Sequence, residues 1–226
     1  MNPEQIHKLY AYSSDVEEAL RKLEARLQQP TRSLIGLAGG PGSGKSTLAH
    51  YLQSRMEEIH PGQVISLSID GFHFPKNTLE HWPNASEAFI KRGAPWTFNS
   101  IAFIEQMRLL KPLFEQQDTK WPSFDHSVGD PIENDILIPK NSKVVIIEGL
   151  YLLHNKDGWQ ECANLLDQCW FLDTPLELAL EQLAKRHMQA WGFSHEQAMK
   201  RIQQSDALNA NTVLASKPAA DWCLTV

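Results

Sequence analysis

The chain has few cysteines, no long hydrophobic run and no excess of basic residues. Its three cysteines, Cys162, Cys169 and Cys223, form no Cys-x-x-Cys pair. This sparse, odd count is typical of reduced thiols and argues against a disulfide framework. No apolar run is long enough to cross a bilayer, and the charged N-terminus lacks the apolar centre of a signal peptide. We therefore expect a cytoplasmic protein without a membrane partner.

The charge balance and the length further limit which partners and how many domains this protein can have. The formal net charge is −6 over 226 residues. Proteins that bind nucleic acids usually present a basic face, so we expect no nucleic-acid partner. The length suits one α/β domain with a small insertion.

Short apolar strands alternate with helical patterns along the chain, and no repeat or low-complexity linker interrupts them. Strands are predicted at 33–39, 63–70, 143–149, 168–173 and 221–226. Helices are predicted from 14 to about 27, at 45–59, near 86–91, at 99–115, from 174, and from 194 to about 209. This alternation predicts an α/β fold of three layers, with a mainly parallel sheet between helices. We expect a helical extension at 1–30 and one domain at 31–226, with an irregular segment at 71–98.

Two of these helices carry sequence signals for their first residue. Ser14, followed by Glu17, matches a capping box before the first helix. Thr174, followed by Pro175, resembles a cap with proline in the first turn.

A glycine-rich loop separates the first strand from the second helix. The stretch GLAGGPGSGKST, residues 36–47, matches G-x-x-x-x-G-K-[ST]. Glycine allows backbone N–H groups to converge on one anion, and the helix that follows adds its positive end. We predict that this loop binds the phosphates of ATP through Gly39, Gly40, Pro41, Gly42, Ser43, Gly44, Lys45, Ser46 and Thr47. Lys45 suits the β- and γ-phosphates, and the Ser46 hydroxyl suits Mg²⁺.

Two carboxylates follow predicted strands and are expected at the same sheet edge as the loop. Glu148 ends the strand VVIIE and can hold Mg²⁺ or its water shell. Asp70 ends the strand QVISLSID and can accept a proton from a substrate hydroxyl. A strand that ends in Glu is common by itself, and Asp70 with Gly71 also reads as a plain turn. His73 and His81 lack the spacing of metal ligands, and we interpret them as substrate-pocket or surface residues.

Taken together, these segments resemble the P-loop kinases of the phosphoribulokinase, uridine kinase and type I pantothenate kinase superfamily. The likeness covers most of the chain after residue 33. It rests on the glycine loop and on DGFHFPKNTL, KRGAPWTFN, PSFDHSVGDPI, IIEGLYLL and RHMQAWGFSHEQAMKRIQQSDALNA. The small kinases from fructose-transport gene clusters are the branch that it resembles most. Asn99 stands where that branch usually has Asp.

The resemblance implies a P-loop NTPase fold and roles for several residues. It implies that Asp70 is the catalytic base and that Glu148 lies near Mg²⁺. It also implies a lid at about 183–195, from which Arg186, with Lys185 as a second candidate, closes over the phosphates. Forked guanidinium donors suit phosphate, but by itself the Lys-Arg-His run there is more typical of a solvated helix face. We further expect acceptor contacts from His73 and Arg92 within 71–98, and we expect Asp125 and His126 to line the acceptor pocket.

The sequence thus predicts an ATP-dependent kinase that phosphorylates a hydroxyl of a small metabolite. A regulatory nucleotide switch is the alternative, and a binder without catalysis is a third class. A GTPase switch should carry Asn-Lys-x-Asp, whereas in HNKDG the aspartate, Asp157, comes one residue early. The presence of Lys45, Ser46, Asp70 and Glu148 favours catalysis over simple binding. Sugar, nucleoside, glycerate-like and pantothenate-like acceptors all remain open.

Overall fold

The computed structural model describes residues 8–125 and 127–226. The helices are α1 Ser14–Leu27, α2 Lys45–Ile59, α3 Lys76–Leu79, α4 Ala85–Ile90, α5 Ser100–Leu110, α6 Cys162–Leu165, α7 Leu176–Trp191, α8 His195–Arg201 and α9 Ala207–Ser216. The strands are β1 Ser33–Ala38, β2 Val64–Ser68, β3 Thr119–Asp125, β4 Asp130–Ile138, β5 Val144–Gly149, β6 Gln168–Leu172 and β7 Trp222–Leu224. Short 3₁₀ turns occupy Ile69–Phe72, Pro95–Thr97 and Lys217–Ala219, and Ile202–Asp206 is π-helical.

Five parallel strands form the central sheet in the order β2-β5-β1-β6-β7. Because the strands are parallel, their carboxyl ends share one edge and helices cover the crossovers. The α/β fold with a mainly parallel sheet is therefore confirmed. Strand β5 lies between β1 and β2, so Glu148 pairs in register with Leu37 on one side and Ser68 on the other.

Alternate residues of the central strands belong to two apolar cores. In β5, Val145 and Ile147 pack in the core shared with α5, whereas Val144 and Ile146 pack in the core shared with α1 and α2. Burial on both faces explains why this strand is apolar at every position up to Glu148. Helix α1 shares the second core, while the proposed division at residue 30 stays a prediction.

Three helix ends differ from the sequence-based expectation. The cap of α1 is Ser13, one residue before the expected Ser14, and its Oγ accepts from the Val16 N–H at 3.4 Å. Thr174 does not cap α7, because its hydroxyl donates to the Ser43 carbonyl at 2.9 Å. Helix α5 ends at Leu110 rather than near 115, since Pro112 has no backbone N–H to continue the helical hydrogen bonds.

A β-hairpin was missed by the sequence analysis. Strands β3 and β4 pair as a separate antiparallel sheet. Pro122 and Pro131 interrupt the strand pattern in the sequence, but both are tolerated because each strand of a two-stranded sheet has an open edge. The helix predicted from 194 to about 209 is also different, because it divides into α8, the π-helical segment and α9.

No helix within residues 8–125 and 127–226 combines the length and the apolar character needed to cross a membrane.

Arg32 joins the start of β1 to two other parts of the fold. Its side chain is 1% exposed. Its guanidinium donates to the carbonyls of Ser142 at 2.7 Å, Leu110 at 2.9 Å, Pro139 at 2.8 Å and Lys140 at 3.1 Å. These bonds tie the end of α5 and the approach to β5 to the strand that leads into the glycine loop.

Replacing Arg32 with Met is expected to lower the free energy of unfolding by about 3 kcal/mol or more. The change removes hydrogen bonds from a charged donor, worth about 1.5–3 kcal/mol each, and leaves buried carbonyls unpaired. Urea denaturation measures the loss. Arg21→Met is the matched control, because Arg21 is 61% exposed and pairs with Glu18 on the surface. That control should change stability by about 0.5 kcal/mol or less. Equal losses in the two variants would contradict the role of Arg32.

Candidate active site

The loop after β1 presents backbone N–H groups at the start of α2. Gly42 and Gly44 have φ angles of 76° and 92°, in the region that favours glycine. Gly44 is the N-cap of α2, no side chain caps this helix, and its first turn contains no acidic residue. Its first N–H groups and the positive end of its dipole are therefore suited to an anion. This geometry fits the phosphates of a nucleotide.

Helix α7 packs directly on the glycine loop. A Cβ at Gly42 would lie 2.1 Å from the Ala179 carbonyl oxygen, so only glycine fits there. The Thr174 hydroxyl also donates to the Ser43 carbonyl at 2.9 Å. The loop is thus held from the side of α7, through contacts that no local sequence pattern indicated.

Glu148 lies at the end of β5, beneath the start of α2. It is 5% exposed, and the Ser46 hydroxyl donates to its Oε1 at 3.1 Å. Burial raises the pKa of this carboxyl, the Lys45 ammonium lowers it, and the Asp70 carboxylate raises it. Hydrogen bonds from Ser68 and Ser46 lower the pKa without reversing the net rise. The Glu148 carboxylate therefore has a hydroxyl partner in Ser46, and its pKa responds to the Lys45 ammonium and to a second carboxylate, Asp70.

Asp70 lies in the 3₁₀ turn Ile69–Phe72, two residues beyond the end of β2. The sequence predicted that the strand would reach residue 70, but it ends at Ser68. The Asp70 N–H donates to the Ser68 hydroxyl at 3.2 Å, which fixes the turn. Because Ser68 pairs with Glu148 across the sheet, Asp70 follows β2 at the same carboxyl edge as Glu148, as expected.

Arg186 lies across a small pocket from the loop. The pocket has a volume of about 180 Å³ and is lined by Gly42, Gly44, Lys45, Ser46, Thr47, Gln182, Leu183 and Arg186. Arg186 and Lys45 therefore border the same space. Lys185 is 66% exposed, and its Nζ lies 3.9 Å from Glu181 Oε1 on the outer surface of α7.

The hairpin β3–β4 covers the segment that follows Asp70. The Trp121 indole donates to the Ser68 carbonyl at 2.8 Å, and a Cβ at Gly71 would lie 2.2 Å from the Pro122 carbonyl oxygen. His73 packs between this hairpin and the segment that ends at Phe98. Its ring centroid is 3.9 Å from that of Phe98 and 4.8 Å from that of Phe124.

Arg92 joins the irregular segment to the hairpin. Its guanidinium donates to the carbonyls of Gly129 at 2.5 Å and Phe74 at 3.0 Å, and to Asp130 Oδ1 at 2.8 Å. The Lys76 N–H donates to the same Asp130 oxygen at 2.9 Å. The Arg92 ion pair lowers the pKa of Asp130 despite partial burial, so Arg92 has a clear structural role in this conformation.

Asp125, another expected acceptor residue, lies at the hairpin turn. Asp125 Oδ1 accepts from the Ser127 N–H at 2.8 Å, the Ser127 hydroxyl at 2.6 Å and the Val128 N–H at 3.2 Å. His126 lies outside the described residues. Asn99, which replaces the usual Asp, caps α5 by accepting from the Ala102 N–H at 3.0 Å.

The sequence analysis missed several residues around the site. Gln182 lines the pocket beside Arg186, and helical spacing from Arg186 could have identified it. Phe74, Trp82 and Trp96 form a ring cluster within the irregular segment 71–98, with centroid separations of 5.0 and 6.2 Å. The density of aromatic residues in 72–98 was the available signal.

Comparisons with known proteins agree with this geometry. The model of the Phosphoribulokinase / Uridine kinase family matches residues 34–224. A Schizosaccharomyces pombe protein named "Putative uridine kinase C227.14" is 35% identical over 202 residues, which are 88% of this chain and 86% of that protein. An Aspergillus versicolor protein named "ATP-dependent kinase-like protein notR'" is 36% identical over 152 residues, or 66% of this chain and 88% of its own length.

A solved structure of a kinase is also similar to this chain in fold. The crystal structure described as a "putative fructose transport system kinase from Silicibacter sp. TM1040" has a TM-score of 0.80 and 30% identity to this chain. The match covers 92% of this chain and 97% of the other. With the glycine loop in place at the edge of a parallel sheet, the P-loop fold is confirmed. The chain belongs to the phosphoribulokinase/uridine kinase family, and it is a P-loop kinase that acts on small molecules.

Proposed function

We propose that this protein transfers the γ-phosphoryl group of ATP to a hydroxyl of a small metabolite. The observation that carries the proposal is the position of Asp70, in the turn after β2, at the sheet edge where Glu148 pairs in register with Ser68 and accepts from Ser46. A nucleotide switch needs the phosphate loop and a metal ligand. A kinase also needs a group that accepts the proton of the acceptor hydroxyl, and the Asp70 carboxylate, just before the irregular segment 71–98, suits that task.

Each residue has one task in this scheme. Backbone N–H groups of the loop hold the phosphates, and Lys45 neutralises charge on the β- and γ-phosphates. In the transfer step the acceptor oxygen bonds to the γ-phosphorus while the bond to the β-phosphate oxygen breaks. ADP leaves, and Asp70 takes the hydroxyl proton. Arg186 stabilises the charge that develops on the transferred group.

Ser46 and Glu148 would hold Mg²⁺. Their oxygens already lie 3.1 Å apart next to the phosphate pocket. In the described part of the chain, no group of three or more His, Cys, Asp or Glu side chains could hold a metal. Few protein ligands suit Mg²⁺, which keeps several waters and binds phosphate oxygens. When bound, the ion would neutralise charge on the phosphates and favour the ionised form of Glu148.

The molecule that accepts the phosphoryl group can be identified by screening hydroxylated metabolites. The related proteins carry names that refer to uridine and to fructose transport. Nucleosides and sugars are therefore the first panels to test, with ADP release as the readout. ADP release that rises with an acceptor supports the kinase, whereas slow hydrolysis that no acceptor changes would favour the switch.

Asp70→Asn should reduce transfer by roughly 10²–10⁴-fold, the usual contribution of a general base. The dissociation constant for ATP with Mg²⁺, measured by calorimetry, should change little because Asp70 acts on the acceptor. Asp135→Asn is the matched control on the exposed hairpin, where Asp135 accepts from Ser123. If Asp70→Asn transfers phosphate at the wild-type rate, Asp70 is only a turn residue. If the variant no longer binds ATP, Asp70 belongs to the metal site.

Lys45→Ala should weaken ATP binding or slow transfer by about 10-fold or more. The change removes charged hydrogen bonds to phosphate, worth about 1.5–3 kcal/mol. Calorimetry and steady-state transfer with the identified acceptor measure the two effects. Lys120→Ala, on the exposed surface of β3, is the control for loss of one positive charge. Unchanged binding and turnover in Lys45→Ala would refute the phosphate assignment of the loop.

Arg186→Ala should lower kcat more than it weakens ATP binding, because its guanidinium acts on charge that develops in the transition state. A loss of about 10²-fold or more in kcat is expected from the removal of one such donor. Lys185→Ala is the matched control from the neighbouring position on α7. If Arg186→Ala loses only folded protein and keeps its activity per folded molecule, Arg186 is a surface residue of the helix.

A further inference from the structure

The backbone on both sides of Asp70 is held by nearby polar groups. The Asp70 N–H donates to the Ser68 hydroxyl at 3.2 Å. The Asp70 carbonyl accepts from the His73 N–H at 3.1 Å, and His73 Nδ1 lies 2.8 Å from the same oxygen. Because a carbonyl oxygen can only accept, Nδ1 carries the hydrogen and is the donor. His73 therefore binds the Asp70 carbonyl twice, once through its backbone and once through its ring.

The His73 ring is restrained by two aromatic neighbours from different elements. Its centroid lies 3.9 Å from that of Phe98 and 4.8 Å from that of Phe124 on β3, with angles of 37° and 44° between the ring planes. His73 and Phe98 also pair as an antiparallel bridge, and Phe98 is 3% exposed. Contacts of this kind leave the ring few alternative rotamers, so Nδ1 stays directed at the Asp70 carbonyl.

The peptide between Asp70 and Gly71 is the one whose oxygen His73 binds. Glycine is required at position 71, because a Cβ there would lie 2.2 Å from the Pro122 carbonyl oxygen. Glycine also has the widest range of backbone angles, so a peptide that precedes it rotates more easily than others. The direction of the Asp70 side chain depends on the backbone angles of this turn. A bond from His73 Nδ1 to the Asp70 carbonyl opposes such a rotation.

We propose that His73 is a positioning residue for phosphoryl transfer, whose Nδ1–H fixes the Asp70 carbonyl and thereby the direction of the Asp70 carboxylate. The proposal rests on the function proposed above, because it needs Asp70 to be the base. It replaces the expected contact of His73 with the acceptor by an action through Asp70. Precise placement matters, because an error of about 1 Å in the position of a catalytic group can cost about 10²-fold in rate.

Two amide variants separate the roles of the two ring nitrogens. Asparagine has its amide nitrogen three bonds from Cα, as Nδ1 is, whereas the amide nitrogen of glutamine is four bonds away, as Nε2 is. We expect His73→Asn to keep kcat within about fivefold of wild type and His73→Gln to lower kcat by about 10–100-fold. The dissociation constant for ATP with Mg²⁺ should stay within about twofold in both variants, because the phosphate loop is unchanged.

The double variant with Asp70→Asn tests whether His73 acts through Asp70. In that background, His73→Gln should cause almost no further loss of kcat, because the side chain that it positions is no longer a base.

Stability and a second histidine supply the controls. Both His73 variants lose the ring contacts with Phe98 and Phe124, so their Tm values should fall together, by about 2–4 °C. A difference in kcat between them then cannot come from stability. His81→Gln is the matched control, since the exposed His81 has its Nδ1 2.7 Å from the Asn77 carbonyl. This variant loses the same kind of bond on the surface and should keep kcat within about twofold of wild type.

Several outcomes would overturn the role of His73. Activity that is kept in His73→Gln and lost in His73→Asn would place Nε2 on the acceptor. Equal kcat in the two variants, failure of either to fold, or losses that multiply with those of Asp70→Asn would leave His73 without a positioning role. A wild-type protein that transfers phosphate to no acceptor would instead refute the proposed function, so the two failures are distinct.

Discussion

The hydrogen bond from Ser46 to the buried Glu148 is the contact on which the geometry of the site depends. It joins the first turn of α2 to β5, the strand between β1 and β2. A carboxylate with 5% exposure needs partners, because burial favours its neutral form. Ser46, Ser68 and Lys45 provide them. The same groups that satisfy Glu148 are the ones placed to meet a nucleotide and its ion.

Two further parts of the fold approach this centre from opposite sides. Helix α7 contacts the glycine loop at Gly42 so closely that no Cβ would fit. The hairpin β3–β4 contacts Gly71 in the same way, next to Asp70. Close backbone contact fixes the distance between elements better than long side chains do, because there are few rotamers to average over. The glycine loop and the turn that carries Asp70 are therefore both built on rigid contacts.

Buried polar groups are satisfied in one part of the molecule and unsatisfied in another. The two main cores are apolar, and the buried Arg32 guanidinium donates to four backbone carbonyls. Between α7 and the π-helical turn, by contrast, His187 and Asp206 carry buried atoms without a hydrogen-bond partner. Unsatisfied buried groups cost stability, so this segment is expected to be less stable than the scaffold around Arg32.

The sequence by itself determined the sheet strands, the glycine loop, and the presence of Lys45, Ser46, Glu148 and Asp70 at one edge. These features follow from local apolar patterns and from the rule that parallel strands share their carboxyl edge. The tertiary structure alone decided the hairpin, the pairing of Arg92 with Asp130, the contact of Gly42 with Ala179, and the π-helical turn that buries Asp206. Each of these depends on groups far apart in the chain or on a break in periodicity, and a local pattern carries no information about which distant backbone or charge a side chain will meet.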